Sequence, residues 1–141
     1  MSQQETSIVD RLNERAPAFI KLLGGKVIEV DCQQQSCTFE FNIGQELCHS
    51  VDIVQGGFVT AMLDATMSHT AFGIEPDIVN VATLEIKVSF FEASRAGRFR
   101  CTGKLCKIGR SIGFMEAELF NAAGQLTATA TTTAKLVRNK K

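Results

Sequence analysis

The sequence predicts an α+β domain in which a curved antiparallel sheet wraps around one buried helix. Three observations predict it. Two short segments of alternating apolar and polar residues precede a helix of roughly 17 residues, and four more follow it. That helix is apolar or small on nearly every face, so it needs cover on several sides. The last alternating run is lined by alanines, small enough to let a sheet curl closely around a helix.

The elements follow in order. From Ser7 to Leu23, Ile8, Leu12, Phe19 and Leu23 recur at helical spacing, and Pro17 divides the stretch into two short helices. Gly24-Gly25 ends it. Residues 1–25 are therefore an N-terminal helical segment ahead of a main domain at 26–137. In the first strand Ile28 and Val30 share a face; in the second, Cys37, Phe39, Phe41 and Ile43 do. A loop from Gly44 to about Gln55 leads into the helix, GGFVTAMLDATMSHTAFG, with Gly73 as its C-cap and Pro76 just beyond. Four runs complete the sheet. Their inward faces are Ala82, Leu84, Ile86, Val88 and Phe90; then Phe99, Cys101, Gly103 and Leu105; then Met115, Ala117 and Leu119; and, after a turn at 121–124, Leu126 to Leu136. The closing VRNKK reads as a frayed basic tail, with 138–141 outside the domain. Such a sheet has open edges, and strand-to-strand dimerisation is one way to close them.

Composition narrows the function. The chain has 141 residues, enough for one domain and little more. Lysine plus arginine and aspartate plus glutamate are equal at 15, and Trp and Tyr are absent, so nothing favours a nucleic-acid partner. The polar N-terminus has no secretory h-region. The longest apolar stretch is too short for a bilayer and carries Asp64 and His69, so no membrane partner is expected. A cytoplasmic protein is expected. The five cysteines match no common zinc spacing and read as small buried hydrophobes, with no metal and no cofactor.

The motifs then point to a family. His49 stands six positions before Gln55-Gly56-Gly57, and Asp64 follows Gln55 by nine. This resembles the signature of the PaaI-like acyl-CoA thioesterases, in which an Asn precedes His-Gly-Gly by six and an Asp or Glu follows that His by nine. The segment Thr83 to Phe91 resembles the family strand that supplies a hydroxyl to a neighbouring subunit's site. Lys107-Ile108-Gly109-Arg110-Ser111 resembles its turn near bound CoA, and Gly124 to Ala130 its final strand. The resemblance covers roughly residues 20–137 and implies the hotdog fold, a homodimer or homotetramer, and hydrolysis of an acyl-CoA whose CoA belongs to the substrate. The departures are Gln55 for the family His, His49 for its Asn, Asp52 for a Gly and Ala93 for a Pro expected to be structural only.

The residues support this chemistry. Asp64 is the only acid in an apolar helix, and an unpaired buried carboxylate is costly, so it needs a partner or a purpose. A neighbouring hydroxyl or a gap in the sheet would also satisfy it. Gly56-Gly57 open the helix where free N–H groups favour negative charge, and the Gly56 N–H suits a thioester oxyanion. The alternative reading is a loop-to-helix turn that needs two small residues. Asp64 lies about 12 Å further along the axis, and the family solution is a site shared between subunits. Asp64 then acts as general base or nucleophile. Thr83 holds the water or the carboxylate. Gln55 orients the substrate without exchanging a proton. His49 hydrogen-bonds near the carbonyl, or is a surface histidine. His69 reads as structural and Asp52 as a cap. Gly57, Phe58, Lys107, Gly109, Arg110 and Ser111 are the substrate-binding candidates, with Met62 and Phe90 lining an apolar acyl pocket. The basic side chains Lys104, Lys107 and Arg110 would meet CoA phosphates, or simply face solvent. Competing readings are an acyl-CoA binder without turnover and a hydratase or dehydratase acting on acyl thioesters. A transcription regulator of this fold would need a basic helix-turn-helix that the N-terminal segment lacks.

Overall fold

The structure, a computed structural model, describes residues 1–139. Helices α1 (Gln3–Glu14) and α2 (Ala18–Leu22) lead into strands β1 (Lys26–Asp31) and β2 (Ser36–Ile43). A single 3-10 turn and the short strands β3 (Cys48–Ser50) and β4 (Ile53–Val54) bring the chain to helix α3 (Gly56–Ile74). Strands β5 (Ile78–Phe90), β6 (Gly97–Ile108), β7 (Ile112–Asn121) and β8 (Leu126–Arg138) complete it. The six long strands form one sheet in the order β1-β2-β6-β7-β8-β5, every neighbouring pair antiparallel. The sheet wraps α3, the hotdog arrangement.

The wrap follows from side-chain size and polarity. Phe39, Phe41, Phe99, Met115 and Leu119 from the sheet meet Met62, Leu63 and Met67 from α3, all fully buried. Each such side chain contributes about 1.5–3 kcal/mol. Alanines at 117, 128, 130 and 134 are buried between them and keep that layer thin. Closest approach is at Gly103, where an added Cβ would lie 2.5 Å from Thr70 Oγ1 and 3.0 Å from the Thr66 carbonyl oxygen. The hydroxyls of Thr66 and Thr70 donate one turn back to the carbonyls of Met62 and Thr66, so these polar groups enter the core satisfied.

Several sequence expectations need correction. Helix α1 begins at Gln3 rather than Ser7, because Ser2 and Glu5 form a reciprocal capping box. The kink at Pro17 shifts the helical phase: Ile20 and Leu23 are buried and Phe19 is exposed. Gly24, with φ +59°, ends α2 as expected, its N–H and that of Gly25 donating to the Lys21 and Ile20 carbonyls. Gly73 is not a C-cap. The helix runs on to Ile74, and Gly73 is where α1 packs, its Cβ position lying 3.1 Å from Leu12 Cδ1. Strand periodicity breaks at bulges. In β1 the register shifts between Val27 and Glu29, so Val27 and Val30 are buried rather than Ile28 and Val30. In β5 it shifts between Thr83 and Glu85, so Ala82 and Leu84 face out and Val81 packs on the core instead. Val137 and Arg138 belong to β8 rather than to a frayed tail. The Arg138 guanidinium pairs with Asp77 at 2.9 Å and donates to the Gly109 and Arg110 carbonyls. Lys140 and Lys141 lie outside the described residues. All five cysteines are free thiols, but only Cys37 and Cys101 are buried, with thiols pushed up to about 12 by desolvation, and Cys106 is exposed. No helix among the described residues is long and apolar enough to cross a membrane.

Candidate active site

The start of α3 is held from two sides. The Val54 N–H donates to the Ser94 carbonyl at 2.8 Å and the Gln55 N–H to the Leu47 carbonyl at 3.0 Å. Gln55 is the N-cap: its Oε1 accepts from the Gly57 N–H at 2.7 Å, and its own carbonyl accepts from Phe58 and Val59. A side chain at position 57 would strike that cap, since a Cβ would lie 2.6 Å from Gln55 Oε1. This leaves the Gly56 N–H without an acceptor among the described residues. It is the unsatisfied donor at the positive end of a 19-residue helix.

Gly56 opens onto a cleft of about 530 Å³. Its walls include His49, Val59, Phe90 and Ser94. Phe90 bounds the glycine, its ring 3.5 Å from the Gly56 Cβ position. His49 is exposed, with Nδ1 2.7 Å from Ser50 Oγ. Two residues proposed for this pocket are elsewhere: Met62 is fully buried in the core, and Phe58 packs beside the core, off the cleft wall. Conversely Phe91, Glu92, Ala93 and Ser94 line the cleft and were not expected there. The signal was the paired Phe90-Phe91, which ends the alternation of β5. Asp52 pairs with Arg95 at 2.7 Å rather than capping the helix, the arginine exposed and the aspartate half-buried.

Asp64 lies two turns on, half-buried, beside the edge strand β5. The Thr83 hydroxyl donates to its Oδ1 at 2.9 Å. The bulge after Thr83 turns this hydroxyl towards the helix while Leu84 faces out. Asp64 does not line the cleft at Gly56. Within one chain the donor and the carboxylate are therefore separate. His69, as expected, is structural: its Nδ1 donates to the Ala65 carbonyl at 2.8 Å, and its ring meets Phe39 and Phe72 edge-on. Burial holds its pKa below the ordinary histidine value.

Lys107, Gly109, Arg110 and Ser111 form the end of β6 and the turn into β7. The Gly109 N–H donates to the Ile112 carbonyl and the Ser111 carbonyl accepts from Leu136. Arg138 ties this turn to Glu75 and Asp77, just past the C-terminus of α3. The turn therefore sits at the opposite end of α3 from Gly56, with the Lys107 and Arg110 side chains exposed. No group of three or more His, Cys, Asp or Glu residues among those described is arranged to hold a metal.

A long helix wrapped by a six-stranded antiparallel sheet, with an open N–H at the helix start and a hydroxyl-held carboxylate further along it, defines a hotdog protein. Residues 52–128, more than half the chain, match the model of the thioesterase superfamily, and the chain belongs to that family. It is 25% identical over 132 residues to a presumed esterase of Saccharolobus solfataricus, covering 94% of this chain and 92% of that protein. A presumed thioesterase related to phenylacetic acid degradation, from Ralstonia eutropha JMP134, superposes with a TM-score of 0.82 at 29% identity, covering 91% of this chain and 98% of that one. The Escherichia coli PaaI protein, from the phenylacetic acid degradation operon, superposes with a TM-score of 0.83 over 99% of this chain and 97% of its own, and at 14% identity is a likeness of fold. The family supports hydrolase chemistry on thioesters.

Proposed function

We propose that the protein hydrolyses an acyl-CoA thioester to the free acid and CoA, working as a homodimer at least. The observation that carries this reading is the pairing of an unsatisfied Gly56 N–H on an open cleft with an Asp64 carboxylate held by Thr83 at the sheet edge. The thioester carbonyl oxygen takes the Gly56 N–H, which strengthens its hold as the oxygen becomes an oxyanion. Asp64 either removes a proton from water as the water attacks the carbonyl carbon, or attacks that carbon itself to give an anhydride that water then opens. Either route expels the CoA thiolate. Gln55 Oε1 is committed to the cap, so its amide N–H groups remain to orient substrate, and they exchange no proton. His49, on the cleft wall, adds a polar contact near the carbonyl.

The dimer answers the gap between donor and carboxylate. Strand β5 ends the sheet with a free edge, and Leu84, Phe90 and Phe91 are more than half exposed along it. Pairing two β5 edges about a two-fold axis sets the two α3 helices antiparallel. One protomer's Gly56 would then face its partner's carboxylate and hydroxyl. The same operation would turn one protomer's β6–β7 turn, with Lys107 and Arg110, towards the other's cleft, where cations suit CoA phosphates. The free thiols fit a reducing, cytoplasmic setting.

A panel of acyl-CoAs, short, long and aromatic, tests the reading by free-thiol release. The native protein should turn over at least one, and Asp64→Asn should lose about 100- to 10,000-fold. A second reading, an acyl-CoA binder without turnover, is favoured by the engagement of Gln55 as a cap where the resembled family has a His, a side chain that unlike Gln is able to exchange a proton. Intact CoA binding with no release from any member of the panel would establish that binder and remove the hydrolase.

A further inference from the structure

The opposite end of α3 carries a second cavity, whose lining contains none of Gly56, Asp64 and Thr83. It measures about 330 Å³ and lies between α1, the end of α3 and the start of β5. Leu12, Phe72, Ile78 and Val79 are among its apolar walls, and Arg11 and Arg15 stand at one side. His69 reaches it and is 13 residues beyond Gly56, about 20 Å along the helix.

Its polar groups are unspent. His69 is only 5% exposed. Its Nδ1–H is used on the Ala65 carbonyl, so in the neutral ring Nε2 is an acceptor, and no residue among those described donates to it. Every side-chain nitrogen or oxygen sealed from solvent among the described residues has a hydrogen-bond partner. Nε2 is therefore not sealed from solvent, and His69 lines this cavity. Arg11 gives one bond, from Nη2 to the Phe72 carbonyl at 3.2 Å, which leaves its other donors free. Arg15 makes no side-chain hydrogen bond, and neither arginine has a carboxylate within salt-bridge distance among the described residues. Among the described residues no acid lines the cavity.

The geometry points to a second ligand site here, for a small amphipathic carboxylate that carries a hydroxyl or amide N–H at its apolar end. The carboxylate meets the arginines, the apolar body fills the space beside Phe72 and Val79, and the donor reaches His69 Nε2. The volume lies at the small end of ligand pockets, roughly 300–1,000 Å³, so the occupant is about the size of a single substituted ring.

Phloretate, a phenol-bearing propionate, is a suitable probe in proton–nitrogen NMR titrations of the full chain. Hydrocinnamate, which lacks the hydroxyl, and para-cresol, which lacks the carboxylate, are its controls. Phloretate should bind with a dissociation constant on the order of 1 mM, shift the amides of Leu12, Phe72 and Val79, and move the His69 Nε2 resonance. Hydrocinnamate should leave that resonance in place. The exposed Arg15→Gln variant should weaken binding about tenfold, and Val79→Trp, which fills the mouth from a half-exposed position, should abolish it with the fold intact. No shifts up to ~10 mM phloretate, shifts confined to Gly56 and Phe90, or undiminished binding by Arg15→Gln would each overturn the site. Because the readout is binding at His69, failure here is distinct from failure of acyl-CoA hydrolysis.

Discussion

Replacing Thr83 with valine removes one hydroxyl and adds a methyl of nearly the same size. That hydroxyl donates to Asp64 Oδ1 at 2.9 Å, from an exposed threonine to a half-buried carboxylate. Stability should therefore change little, within about 0.5 kcal/mol. The rate should respond more. A hydrogen bond to a charged group is worth ~1.5–3 kcal/mol. If all of it aims the reacting carboxylate, the loss in kcat/KM is about 10- to 150-fold. Exposure weakens the bond, so the expected loss is near ~10-fold. Thr83→Ser keeps the donor and should recover most of the rate. The assay is thiol release on whichever acyl-CoA the native protein cleaves, with thermal melting alongside. Unchanged kcat/KM in Thr83→Val, or a serine variant as slow as the valine, would refute the claim that this hydroxyl orients Asp64.

Three further outcomes follow from the geometry. Gly103→Ala puts a methyl 2.5 Å from Thr70 Oγ1 and against the Thr66 carbonyl, so it should destabilise by ~1–3 kcal/mol in urea unfolding; a neutral result would mean that α3 can lift from β6. Gln55→Ala removes the cap on the Gly57 N–H and should cost about 1 kcal/mol of stability, read as a lower melting temperature, and equal stability would deny the cap its role. Glu5 accepts from the Ser2 and Cys32 N–H groups, which holds its pKa below the ordinary carboxylate value of 4.5. Its folded pKa is depressed, so its stabilisation is complete above 4.5 and fades as pH falls through the lower folded value; the protection of the Cys32 amide from hydrogen exchange, relative to the intrinsic rate at each pH, should fall over that interval in the native protein and show no such step in Glu5→Gln.

The sequence by itself determined the layer architecture and the order of elements. Period two in Cys37, Phe39, Phe41 and Ile43, and an apolar helix with a single acid, are local patterns with one economical solution, a sheet wrapped on that helix. It also singled out Asp64 and Gly56, because a lone carboxylate and a pair of glycines stand out against an apolar background, whereas Thr83 came from the resemblance of its strand to a family strand. What it could not hold was anything that depends on register or on contact between distant segments. The bulge after Thr83 inserts one residue, and a period-two pattern then reverses its faces, so Ala82 and Leu84 exchange sides with Val81 and Thr83. Gly73 looks like a terminator until α1 is seen packed on it. Only the fold shows that the Gln55 amide oxygen is committed to the Gly57 N–H, which leaves its NH2 group for substrate and Gly56 as the open donor. Arg138 reads as tail until Asp77, Glu75 and the β6–β7 turn gather around it. The separation of Gly56 from Asp64 was legible in the sequence, since a straight helix cannot bring its first turn to its third; that Thr83 on the edge strand holds the carboxylate at 2.9 Å was decided only by the tertiary packing of β5 on α3.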